Sequence, residues 1–115
     1  ILEAESLVIG TPTYWGNMTG PLKLLFDRNV PVLLGEDGAQ PRQRGKTAAI
    51  VATCDSTWPT SQLSSSGGGA IRAVRTVLAS AGYRIVGTII YPCAHGQHDV
   101  PQSVLRRAVA LGRQL

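Results

Sequence analysis

The sequence predicts an α/β fold: a parallel, doubly wound sheet with helices on both faces. Three observations lead there. Short, nearly all-apolar runs stand at Ser6 to Gly10, Lys46 to Thr53 and Arg84 to Tyr91, the composition of strands covered on both sides. Each is followed, after a loop, by a stretch whose apolar residues recur at helical spacing. The resulting β-α-β-α-β-α order calls for helical crossovers and therefore a three-layer architecture.

Taken in order, Ile1 to Ala4 read as the tail of a helix that runs straight into the first strand. Thr19 is the expected N-cap of the next helix, and Pro21 fits a first turn where no amide hydrogen is needed. Leu22, Leu25, Phe26 and Val30 fall on one helical face, Lys23 and Asp27 pair at i,i+4 on another, and Pro31 ends the helix. Gly35 to Gly45 is a polar surface connection. After the second strand, Asp55 to Ser66 forms a long polar loop carrying Trp58 and Pro59. Ser64 to Ser66 and Gly67 to Gly69 introduce a helix with its stripe on Ile71, Val74, Val77, Leu78 and Ala81, closed by Gly82. The last helix follows Pro92 to His98. Asp99 and Gln102 suggest a capping box around Pro101, and Val104, Leu105, Ala108, Leu111 and Leu115 are expected to face the core.

Composition narrows the class. The 115 residues suit one domain, with 43% hydrophobic and 16% charged residues. No apolar run approaches the ~20 residues of a membrane span. Two cysteines, Cys54 and Cys93, are too few for a disulfide scaffold, so a reducing, cytoplasmic setting is expected. The formal charge is +4, but its arginines are scattered. That gives only slight support to an anionic partner and none to nucleic acid.

In parallel α/β sheets ligands bind beyond the carboxyl ends of the strands. The loop from Thr11 to Met18 should lie there, with Pro12 stiffening the strand exit and Gly16 permitting close backbone approach. Tyr14 and Trp15 offer aromatic area; Asn17 and nearby amides offer hydrogen bonds. These residues suit a flat ring with polar edges, and equally a tight turn with two surface aromatics. Ser64 to Gly69, at a helix start, is favoured as a second binding turn over a flexible linker. Gly45-Lys46-Thr47 is no phosphate loop: Gln40 stands where the first glycine belongs, and a strand follows instead of a helix. His95 and His98 lack a third ligand, so no metal site is expected, and the cysteines read as buried thiols. No spacing supports a nucleophile with its base.

The run Gly10-Thr11-Pro12-Thr13-Tyr14-Trp15-Gly16-Asn17-Met18-Thr19-Gly20, followed by Leu22-Lys23 and Phe26-Asp27-Arg28, resembles the flavodoxin-like NAD(P)H-dependent FMN reductases and NAD(P)H:quinone oxidoreductases. Gly45-Lys46, Ser66-Gly67-Gly68-Gly69, Ala81-Gly82-Tyr83 and Val86-Gly87 extend the likeness over most of the chain. The resemblance implies FMN as cofactor, with its ring along Pro12, Thr13, Tyr14, Trp15, Gly16, Asn17 and Met18. A second border would come from Thr53, Cys54, Ser66, Gly67, Gly68 and Gly69. It further implies hydride transfer from NAD(P)H to a quinone or similar acceptor, and a homodimer or homotetramer. In the family's strand order 2-1-3-4-5 the strands here would be the third to fifth. The chain would then be the C-terminal two-thirds of one domain, with the first two strands and the phosphate loop absent. Iron–sulfur relatives carry a cysteine cluster with no counterpart here, which places the chain outside that branch. Two other functions are compatible: a non-enzymatic flavodoxin-type carrier, and a scaffold that has lost its flavin.

Overall fold

The computed structural model describes residues 1–38, 40–55, 65–92 and 99–115, except the side chains of residues 65–67. Three strands, β1 (Ser6–Pro12), β2 (Thr47–Thr53) and β3 (Arg84–Tyr91), form one sheet in the order β1-β2-β3. Both pairings are parallel. Among the described residues four helices accompany them: α1 (Gly20–Arg28), α2 (Val30–Leu34), α3 (Ser65–Ala81) and α4 (Gln102–Gly112). The expected three-layer, doubly wound sheet is therefore present, and its contiguous strand order matches three consecutive strands of a flavodoxin-like sheet.

Side chains alternate across a strand, so β2 feeds two cores. Ala48, Ile50 and Ala52 point to one side, where Phe26, Leu33, Ile71, Val74 and Leu78 of α1, α2 and α3 close over them. Ala49 points to the other, where it meets Ile89 and Leu111, with Val86, Val104 and Leu115 around them. Ile50 is completely buried, and burying such a side chain stabilises by about 1.5–3 kcal/mol.

The outer strand differs from expectation. Leu7, Ile9 and Thr11 face the first core, but Val8 and Gly10 on the opposite face are exposed. Helix α4 lies over β3 and β2 and does not reach that far. Among the described residues, the outer edge of β1 has no partner strand.

Several local expectations hold. The Thr19 side chain caps α1 by accepting from the Leu22 amide at 3.4 Å. Lys23 and Asp27 form their ion pair, and Gly82 ends α3 at φ +99°. Others need correction. Ile1–Ala4 is not helical; Lys46 Nζ holds this segment by donating to the Ile1 and Leu2 carbonyls. Pro31 does not simply end a helix, because it sits in the first turn of α2, where its missing N–H costs nothing. That second helix supplies Leu33 to the core, while Leu25 and Val30 remain substantially exposed. Pro101 itself is the N-cap of α4 and no side chain caps it, so the capping box does not form. Leu105 and Ala108 also face outward, since Val104, Leu111 and Leu115 already cover the sheet. No described helix is long and apolar enough to cross a membrane.

Gln43, a buried polar residue between elements, ties the surface connection to both helices. Its amide donates to Ala81 O, its side chain donates to Val32 O, and its Oε1 accepts from the Tyr83 hydroxyl at 3.4 Å. Burial pushes the Tyr83 phenol above its ordinary value of 10.0. The unfolded chain therefore loses this proton first, and stability present below about pH 10 falls as pH rises beyond it. Denaturant melts from pH 8 to 11 should show this decline, and Tyr83→Phe should make it shallower. The same variant, leaving Gln43 Oε1 unpaired, should cost about 1–2 kcal/mol at pH 7.

Candidate functional site

The described residues of the Thr11–Met18 loop, with Thr53 and Cys54, lie at the carboxyl end of the sheet. β1 ends at Pro12, directly opposite Thr53 of β2. The Thr13 amide prolongs the pairing by donating to Thr53 O at 2.8 Å. The chain then reverses in a turn whose ends, Tyr14 and Asn17, exchange both backbone bonds at 3.1 and 3.0 Å. The central residues both have positive φ, +53° at Trp15 and +73° at Gly16, the hand of a type I′ turn. Glycine adopts this conformation freely, whereas for tryptophan it costs about 1–2 kcal/mol.

Hydrogen bonds around the turn hold it in place. Asn17 Oδ1 accepts from the Met18 amide at 2.8 Å, and the buried Met18 side chain anchors the loop in the first core. Thr11, to which the sequence pattern assigns no role, is 4% exposed and links the two ends of the loop. Its hydroxyl donates to Pro12 O and accepts from the Thr19 amide. The available signal was its phase: it follows Leu7 and Ile9 on the inward face of β1.

What the loop offers a ligand follows by subtraction. Pro12 has no N–H, and the amides of Thr13, Tyr14, Asn17 and Met18 are all engaged. Trp15 and Gly16 are left with uncommitted N–H groups among the described residues. Beside them, the Trp15 ring is wholly exposed and Tyr14 is 64% exposed. The Thr13 hydroxyl oxygen is buried and has no hydrogen-bond partner among the described residues. Two free donors, two open aromatic rings and an orphaned hydroxyl fit a flat ring with hydrogen-bonding edges.

The second border is partly described. Thr53 is half-buried, and buried Cys54 donates its amide to Tyr91 O at 3.1 Å, joining the ends of β2 and β3. Ser66, Gly67, Gly68 and Gly69 are brought to the same end of the sheet, but inside α3 and not in a loop preceding it. The other residues considered, Trp58, Pro59, Ser64, Cys93, His95 and His98, lie outside the described residues. Among the described residues no His/Cys/Asp/Glu group could hold a metal ion.

Fold and site together define a flavodoxin-like α/β protein whose loop suits a flat ring. The family model for NADPH-dependent FMN reductases matches residues 1–96, and the chain belongs to that family. FMN is thus the cofactor of the family to which this loop belongs. An iron–sulfur flavoprotein of Archaeoglobus fulgidus is 33% identical over 110 residues, covering 96% of this chain and 42% of the relative. The chain therefore spans less than half the length of that curated relative. Its name sets it among the iron–sulfur relatives, which the sequence reading sets apart by their cysteine cluster. The residues nonetheless include only two cysteines, where a cluster takes four thiolates.

Among solved structures, the Trp repressor binding protein of Bacillus subtilis superposes with a TM-score of 0.61 at 24% identity, covering 96% of this chain and 61% of that one. A mutant form of a flavodoxin from Pseudomonas aeruginosa gives 0.62 at 17% identity, covering 96% and 64%. A putative quinone reductase from Klebsiella pneumoniae gives 0.63 at 13% identity, covering 98% and 49%. At these identities the likeness shows the fold.

Thr11→Val keeps the shape of the side chain and removes both loop bonds. It should cost about 1–2 kcal/mol in chemical denaturation, with faster hydrogen exchange at the Thr19 amide.

Proposed function

We propose that this chain provides the flavin-ring site of an FMN-dependent oxidoreductase that takes hydride from NAD(P)H and delivers electrons to a quinone or similar small acceptor. The observation that carries this reading is the pair of free Trp15 and Gly16 amides beside the open Tyr14 and Trp15 rings. In the family so matched, such a loop meets an isoalloxazine ring. The two amides suit its acceptor edge, the aromatic rings supply a flat contact, and the Thr13 hydroxyl is a further polar partner. Thr53 and Cys54 border the same space from β2. The chemistry that bound FMN supplies is two-electron transfer; the protein contributes position and electrostatics. No side chain is then required as acid or base, in keeping with a loop of amides, aromatics and hydroxyls. A cytoplasmic homodimer or homotetramer belongs to the same reading, with the exposed Leu24, Leu25 and Val30 available for subunit contact.

A flavodoxin-type electron carrier is the second reading. The charge of +4 weighs against it, since such carriers are typically acidic. Purified protein separates the two: reduction of bound flavin by NADPH supports the reductase, and flavin that binds but resists NADPH supports the carrier. Failure to take up FMN, in protein that includes the N-terminal part carrying the phosphate loop, sinks both.

Trp15→Ala tests the ring contact. Because the indole is wholly exposed, stability should stay within about 0.5 kcal/mol. Affinity for FMN and for riboflavin, followed by flavin fluorescence, should fall by about tenfold, equivalent to about 1.4 kcal/mol. A variant that binds both flavins as tightly as the unmodified chain would remove Trp15 from the site.

A further inference from the structure

Helix α3 touches the aromatic turn at one tightly constrained point. A Cβ built on Gly69 would overlap the Gly16 carbonyl oxygen and lie 2.8 Å from its carbon. Real Cβ atoms do not come this close to backbone, and backbone cannot swing aside as a side-chain tip does. The helical glycines Gly20 and Gly112, by contrast, have nothing within 4 Å of such a Cβ.

Gly69 lies within the helix that begins at Ser65, so turn geometry does not explain it, and glycine there costs about 1 kcal/mol relative to alanine. Nor does it serve as a free donor. The helical ladder commits its N–H to the carbonyl four residues earlier. Space is what glycine contributes at this position.

We propose that Gly69 is a positioning residue for the aromatic turn. Its bare Cα packs backbone against backbone on the Gly16 carbonyl and fixes the plane of that peptide. That plane also carries the Asn17 amide, whose bond to Tyr14 O closes the turn that presents the Trp15 ring and the free amides of Trp15 and Gly16. The turn needs such a clamp because Trp15 sits uphill at φ +53°. Strained conformations persist only where their surroundings over-determine them. The clamp also joins the two glycine-bearing stretches, so that α3 borders the ligand loop through shape at Gly69. The ligand named here rests on the flavin reading above; the clamp itself does not.

The test compares Gly69→Ala with Gly112→Ala and the unmodified chain, using amide hydrogen exchange and FMN titration. In Gly69→Ala, the Tyr14 and Asn17 amides should exchange at least tenfold faster while the β2 amides keep their protection, and FMN affinity should fall at least tenfold. Gly112→Ala should change neither. Turn exchange and FMN affinity both within twofold of the unmodified chain would overturn the proposal.

Should Gly69→Ala fail to fold, the unmodified chain still decides. Clamped together, the Tyr14 and Asn17 amides exchange no faster than those of the second turn of α3. A turn that exchanges freely while α3 stays protected refutes the clamp. Loss of turn protection in Gly69→Ala, in a protein that never binds FMN, leaves the clamp standing and removes the flavin reading. Unchanged turn exchange with intact FMN binding does the reverse.

Discussion

β2 carries the structural constraint on which the other elements depend. A parallel central strand must bury both faces, because the crossover helices come to rest on both. Ala48, Ala49, Ile50 and Ala52 are each at most 1% exposed, so the neighbouring helices pack against mostly small residues at close range. Alanine on a central strand lets helices approach the sheet and brings longer side chains such as Val74, Leu78 and Leu111 into dense contact. Interior packing at crystal-like density then allows little movement of α3 relative to the strand. The aromatic loop inherits that rigidity, because its supports include the Thr13–Thr53 bond to β2 and the backbone contact with α3.

The candidate site follows from strain held by a stiff frame. A tryptophan at positive φ is uphill, yet the paired Tyr14 and Asn17 bonds, the Met18 anchor and the Thr11 hydroxyl all act on the short span from Thr11 to Thr19. These interactions use up most of the amides of the loop and leave two in the open. A less constrained loop would offer more donors in less certain directions. Preorganised donors reduce the ordering that a ligand would otherwise have to impose.

Helix and strand identities were legible because each carried a local signature. Thr19 and Pro21 at the start of α1, Gly82 at the end of α3, and the apolar run of β3 act within a few residues of themselves. Errors arose where the outcome depended on distant neighbours. Leu25 and Leu105 have the periodicity of core residues, but Leu33 from α2, Leu111 from α4 and Leu115 just beyond it fill the space instead. Asp99 and Gln102 have the spacing of a capping box, yet Pro101 takes the cap with φ −56° and ψ 140°. The open face of β1 at Val8 was illegible for the same reason: composition records apolarity, not coverage.

By itself, the sequence determined the α/β class, the parallel order and the stretch from Pro12 to Met18 as the candidate ligand loop. Those properties follow from periodicity, turn chemistry and residue types, all of which act locally along the chain. Only the tertiary structure decided which amides of that loop remain free, that Thr11 ties its ends, and why the position in α3 facing it is glycine. Each of these depends on the distance between atoms far apart in the chain, Gly16 and Gly69 above all, and no local pattern encodes such a distance.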